Sequence, residues 1–400
     1  MTNNAFPAGK DPAFLFGCGR FRMEAHLLEN CAEEILRFGK KPLLVCDATS
    51  RAVAFDKIAA SLAAAGVELR VLQHDGYCCR DDALAFAQTG ALDGVDVVLG
   101  CGGGVICDFS KCIAHLAGAP LVTIPTSSAQ CCAYTPIAVC YSREGRYVST
   151  SHFPREISLA LLDLSVLSRQ PPRLLAAGAL DAMAKKIELE FWSQLESRPS
   201  SPASLEGGSG GAANIPAPSG IAAAISDFIY ADLDSKIDAA IGDLAKGEPT
   251  ETLRDVIFDS VVGAGIVSGI AGGSKQVALA HRFYFFAKER LANLSRSQAT
   301  VQRSNGPTVQ RTFTHGELVA VGLVMQHAYN GHPDKAAALA ARLRGWGLAA
   351  SVAELGLPSG PEELAACASF IDATKTMKAA VAVDPGAPAR LREALVAIYR

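Results

Sequence analysis

The chain lacks any stretch of ~20 uninterrupted apolar residues, the length a membrane-spanning helix needs. Its first residues, MTNNAFPAGKDPAF, hold no apolar export core, so the cytoplasm is the expected compartment and a membrane is not an expected partner. Charge of one sign is scarce too: 37 Lys and Arg against 40 Asp and Glu leave a formal net charge of -3. No general attraction to nucleic acid follows, and no basic–aromatic stripe supplies a local one. There is no CxxC and no repeated cysteine pair at zinc-ribbon spacing. The twelve cysteines crowd before residue 141, with Cys367 alone beyond, and without a signal peptide they read as small buried hydrophobes in a reducing compartment.

What is present is the makings of two domains, since 400 residues exceed one ordinary core. Half of the residues are apolar, enough to bury both. In the first part short apolar runs alternate with helical segments. FLFG (14–17), KPLLVCD (41–47), VELRVLQ (67–73), VDVVLG (95–100) and PLVTIPT (120–126) read as strands separated by helices, the pattern of parallel β-α units. After about residue 165 the pattern turns helical, over 171–194, 220–246, 250–271, 273–295, 315–330, 333–346 and a C-terminal pair. The expectation is an α/β fold. A Rossmann-like parallel-sheet domain occupies 1–165 and an all-helical domain 166–400, with low-complexity sequence at 197–220.

Three consecutive glycines, Gly102, Gly103 and Gly104, follow the run VVLGC and lead into a helix containing Asp108. Without a Cβ, and with free N–H groups at the helix start, such a turn suits a phosphate, or equally a tight βα connection. It is neither GxGxxG nor a Walker loop. Asp47 ends an earlier strand, where a carboxylate can bind an adenine ribose hydroxyl or serve only as a turn acid. GCGR (17–20) is a weaker second glycine turn. Asp181 interrupts a strongly apolar helix, where an unpaired acid is expensive, and Lys185 shares its face one turn on. His281 precedes an aromatic run and His315 opens a helix, and both are candidate site residues. His26, His74, His115, His152, His327 and His332 show no partner pattern and read as structural or surface residues.

Taken together these segments resemble the iron-containing alcohol dehydrogenase superfamily, in its glycerol dehydrogenase and glycerol-1-phosphate dehydrogenase branch, with dehydroquinate synthase further away. GGGVICDFSK is similar to the family's pyrophosphate turn, which implies cofactor roles for Gly102, Gly103, Gly104, Asp108 and Lys111. VTIPTSSAQCCAYTPIAVCY resembles the segment beside the nicotinamide and implies Thr126, Ser127 and Tyr134 there. AAGALDAMAKKIE and THGELVAVG resemble the segments that bring Asp181 and His315 to a catalytic metal. The resemblance implies NAD or NADP, a divalent Zn²⁺ or Fe²⁺, a small-molecule substrate and a homo-oligomer. Asp47 favours NAD.

Two departures bear on the metal. The family carries two histidines three or four residues apart, the first on the metal and the second facing the active site; GSKQVALAH (273–281) offers only His281. Counted back from His281 the partner falls on Ala278 or Val277, and aligned on its GS start the metal position falls on Gln276. Where polyol-oxidising relatives carry an aspartate, Cys131 stands. Three readings stay open. Asp181 and His315 rebuild a site with Gln276 or Cys131 as third ligand; or the reductase is metal-independent, with His281 as acid–base and Lys185 or Lys275 supplying charge; or the fold persists without activity. The leading function is reversible NAD(P)-linked interconversion of a small carbonyl compound, neutral or anionic, and its alcohol, with Lys185, Lys275 and Arg311 available to an anion. A sugar-phosphate cyclase and an inactive nucleotide-binding homologue are the alternatives.

Overall fold

The structure, a computed structural model, describes residues 6–7, 16–196, 219–271, 277–301 and 313–399. Its first part holds strands β1 (Phe21–Glu24), β2 (Pro42–Cys46), β3 (Arg70–Gln73), β4 (Val97–Gly102), β5 (Leu121–Pro125), β6 (Ile137–Tyr141), β7 (Tyr147–His152) and β8 (Leu159–Asp163). Between and after them run α1 (Ala32–Ile35), α2 (Ala48–Ala64), α3 (Arg80–Gln88), α4 (Gly104–Ala117), α5 (Leu164–Leu167) and α6 (Pro172–Glu196). The rest is helical: α7 (Ser219–Asp243), α8 (Glu251–Phe258), α9 (Ala264–Ile270), α10 (Leu279–Val301), α11 (His315–Tyr329), α12 (Pro333–Gly345), α13 (Pro361–Asp372), α14 (Lys375–Val383) and α15 (Ala387–Tyr399). A π-helical turn at Asp259–Gly263 joins α8 to α9.

Six strands form one sheet in the order β1-β8-β5-β4-β2-β3, every pair parallel. β2, β4, β5 and β8 are buried along their whole length, as their unbroken apolar runs require of a sheet covered on both faces. The expected parallel sheet followed by helices is borne out. Two details differ. The first half of FLFG lies outside the described residues, among which the first strand begins at Phe21, and the stretch 137–163 holds an antiparallel hairpin, β6–β7, and an inserted parallel strand, β8, that alternation alone did not mark.

The order of strands reverses between β2 and β4, whose carboxyl ends lie side by side, with Cys46 opposite Cys101. A crevice opens at such a switch point, outside the strand ends. Asp47 and the three glycines, 55 residues or more apart in the chain, therefore emerge at neighbouring positions.

The chain divides into two compact units, Met1–Ala179 with Ala231–Gly269, and Leu180–Tyr230 with Ile270–Arg400. The division is not a single cut, because the first unit takes back a helical segment from the second half. Among the described residues no helix is long and apolar enough to cross a membrane.

Candidate functional site

The glycine turn of the first unit is built for close approach. Gly103 caps α4 in an extended conformation, and Gly104 is the first helical residue. A Cβ on Gly102 would fall 2.7 Å from the Ile106 side chain, and one on Gly104 would run into the Gln130 amide. At Gly103 the nearest atom to such a Cβ is the Ser127 Oγ at 3.9 Å, so the turn itself leaves room there.

Asp47 is the N-cap of α2. Its Oδ1 accepts from the Ser50 N–H at 2.6 Å, and the Ser50 Oγ accepts in turn from the Asp47 N–H at 3.0 Å. Asp108 and Lys111 need correcting: both are buried and spent inside the protein. The Lys111 ammonium meets Asp108 Oδ1 at 2.7 Å and donates to the Ile137 carbonyl at 2.6 Å, while Asp108 Oδ2 accepts from the Val139 N–H at 2.9 Å. A charge removed from water requires such partners, and here they tie α4 to β6. Tyr134 is likewise packed, its ring edge-on to Phe21, its carbonyl 2.5 Å from where a Gly17 Cβ would stand; burial raises its phenol to about 12. Gly17 has φ +106, so GCGR is a turn closed by sterics.

In the second unit α6 carries Asp181, Lys185 and Glu188 at i, i+4 and i+7, one face of a helix, and all three are buried. Facing them are His281 near the start of α10 and His315 at the first position of α11. THGE is a capping box, with the Thr314 N–H donating to Glu317 Oε2 at 2.8 Å and the Glu317 N–H to Thr314 Oγ1 at 3.3 Å, which fixes where His315 projects. α10 and α11 come close because Gly322 has no side chain; a Cβ there would stand 2.5 Å from the Ala280 carbonyl oxygen.

Three donor atoms converge. His281 Nε2 lies 3.5 Å from Asp181 Oδ1, His315 Nε2 lies 3.3 Å from the same oxygen, and the two Nε2 atoms are 3.3 Å apart. Asp181 Oδ1 is buried with no hydrogen-bond partner. The Lys185 ammonium stands 3.7 Å from it. Burial pushes the Asp181 carboxyl up, but Lys185 and then the imidazoles hold it well below the usual carboxylate range. Glu188 sets the tautomer of His281: its Oε2 faces Nδ1 at 2.6 Å, and its Oε1 accepts the backbone N–H groups of Ala278 at 2.9 Å and His281 at 3.0 Å. A carboxylate only accepts, so Nδ1 carries the proton and Nε2 of the neutral ring keeps its lone pair. A carboxylate behind a histidine, one orphaned acid oxygen and two imidazole lone pairs make a set that fits a divalent cation with a fourth position open.

This changes the expected third donor. Gln276 and Lys275 lie outside the described residues, as does Arg311. Cys131 belongs to the first unit, where its Sγ is 3.8 Å from Ser268 Oγ. Among the described residues it is His281 that completes the trio with Asp181 and His315. Counted forward rather than backward from His281, the second position of the histidine pair falls on Tyr284, whose ring stands edge-on to His315 with centroids 4.3 Å apart. Glu188 escaped the sequence reading altogether. Its signal was the third member of the Asp181–Lys185 face, an acid seven residues on in an apolar helix.

Fold and donors narrow the class to dehydrogenases that join a nucleotide-binding sheet to a helical part with cation ligands. Residues 18–164 match the family model described as iron-containing alcohol dehydrogenase. The chain is 28% identical over 284 residues to hydroxycarboxylate dehydrogenase A of Escherichia coli, covering 70% of this chain and 68% of that one. It is 26% identical over 313 residues to a glycerol dehydrogenase of Pseudomonas putida, 78% and 76% of the two chains. A crystal structure of a probable glycerol dehydrogenase from Sinorhizobium meliloti superposes with a TM-score of 0.75 at 20% identity, covering 96% of this chain and 97% of that one. The chain is thus similar to iron-containing alcohol dehydrogenases over this part and to their relatives beyond it, and is an alcohol dehydrogenase-like oxidoreductase with a small-molecule substrate. The cyclase and the inactive homologue are not favoured.

Proposed function

We propose that the chain is an NAD(P)-linked dehydrogenase that interconverts a small hydroxy compound and its carbonyl form, with a divalent zinc or iron ion held by Asp181, His281 and His315. The observation that carries this reading is the buried Asp181 Oδ1, without a hydrogen bond and facing two imidazole nitrogens. When bound, the cation polarises the substrate oxygen while hydride passes to or from the nicotinamide. Glu188 keeps the proton of His281 on Nδ1, so that Nε2 stays a donor of its lone pair. The turn Gly102–Gly104 takes the pyrophosphate on the N–H groups that open α4, and Thr126 and Ser127 line the segment assigned to the nicotinamide, with Tyr134 packed behind it. Asp47 opposes a 2′-phosphate and makes NAD the preferred cofactor. Asp108 and Lys111 act behind the turn, holding α4 against β6.

The substrate class is a hydroxy compound with a second, anionic oxygen group. The support is Lys185, a buried ammonium beside the donor trio, and the name of the hydroxycarboxylate relative. Lys185→Met is expected to lower kcat/KM for a small 2-hydroxy acid by roughly ten- to a hundredfold while affecting glycerol less, the loss of one charge-assisted contact. Self-association in the cytoplasm completes the reading, and sedimentation of the purified chain checks it.

Chelation and reloading test the metal. Stripped protein is expected to lose turnover and regain it with zinc or ferrous ion, with one ion per chain by elemental analysis. Full turnover by ion-free protein would overturn the proposal in favour of proton transfer by His281 with Lys185 supplying the charge.

A further inference from the structure

Three cysteines without a part in dehydrogenase chemistry meet in the first unit. Cys78 lies before α3, Cys112 on α4 and Cys140 on β6; all are free thiols, all buried, and their Sγ atoms lie within 4.8 Å of one another. Positive charge reaches them through one hydroxyl. Ser151 Oγ is 3.4 Å from Cys140 Sγ and accepts from Arg80 Nε at 3.1 Å and Nη2 at 2.5 Å. Hydrogen bonds from Cys112 and then Cys78 draw the Cys140 thiol down to about 2, while the other two are pushed up.

We propose that Cys78, Cys112 and Cys140 form a site for a soft monovalent metal ion, copper(I), separate from the donors on α6, α10 and α11. Thiolate sulfur selects copper(I), which three sulfurs satisfy, whereas structural zinc is held by four ligands. Among the described residues the group offers three sulfurs and no fourth donor of comparable softness. As each sulfur–copper bond forms, the thiol gives its proton to solvent. The ion would staple α4, β6 and the turn before α3, and so brace the helix that opens at the glycine turn.

The test is anaerobic titration of the full, reduced chain with copper(I) against a chromogenic copper(I) chelator. The expected result is withdrawal of one ion per chain from the chelator with a rise in melting temperature. Both are lost in Cys112→Ser and in Cys140→Ser, and both are kept in a His281→Ala/His315→Ala variant. Where a serine variant does not fold, X-ray absorption of the copper-loaded natural protein decides: three sulfur neighbours support the site, and nitrogen or oxygen neighbours overturn it. Copper left on the chelator, equal uptake by the Cys78→Ser/Cys112→Ser/Cys140→Ser variant, or displacement by an equal amount of zinc would each sink the proposal.

Discussion

An imidazole lends a ring nitrogen to a cation only when that nitrogen has no proton, and in the neutral His281 ring Glu188 draws the one remaining proton to Nδ1. Loss of such a supporting acid costs about ten- to a hundredfold in metal affinity. Glu188→Gln should show a loss of that order in a zinc competition titration, although every donor atom remains. The same contact sets a pH dependence in metal-free protein. Burial pushes the His281 imidazole down, but the Glu188 carboxylate overrides it and lifts it to about 9 from the ordinary 6.5. A raised imidazole contributes its full stability below the unfolded value, and the contribution disappears as pH rises through the folded one. The melting temperature of the stripped protein should therefore fall between pH 6.5 and 9. Glu188→Gln should flatten the fall, and an equal slope in both proteins would contradict the assignment.

At the scale of elements, the approach of α10 to α11 at Gly322 brings the two histidines within reach of each other. Gly322→Ala should cost about 1–3 kcal/mol by overpacking and weaken metal binding as the helices part; paired denaturation and metal titrations measure both. Much of this scale was legible in the sequence. The strand before Gly102–Gly104, the acid on an apolar helix at Asp181 and the capping box before His315 are local patterns, written within a turn or two of the residue concerned. The partners were not legible. Glu188 and His281 are separated by 93 residues, and no periodicity in one helix reports which helix lies opposite. The partners of Asp108 and Lys111 were hidden for a related reason: the family resemblance implied cofactor roles for both, whereas the backbone of Ile137 and Val139, some thirty residues on, is what they bind.

For the whole molecule, the glycine turn belongs to one compact unit and the proposed cation donors to the other. The two binding events can therefore be broken one at a time. Gly103→Ala introduces a methyl that meets no protein atom closer than 3.9 Å, so the fold should keep its melting temperature. The methyl would, however, intrude where a pyrophosphate approaches. Losing one charge-assisted bond of about 1.5–3 kcal/mol should weaken NAD binding roughly ten- to a hundredfold, and zinc binding to the second unit should be unchanged. Calorimetric titration of both ligands into the variant separates these outcomes, and unchanged NAD affinity would remove the turn from the cofactor site.

Glu188 spends one oxygen on the imidazole and the other on two backbone N–H groups at the head of α10. Chemistry and scaffold are thereby charged to the same side chain. On the proposed reading, a descendant that gave up the metal could discard His315 at little structural cost, yet replacing Glu188 would unseat a helix, and removing Asp181 would strand the Lys185 ammonium. The acid would outlast the reaction it serves, a vestige preserved by architecture. Comparison across a lineage that has lost the ion should therefore start from this carboxylate, because its presence records ancestry and says nothing of present activity.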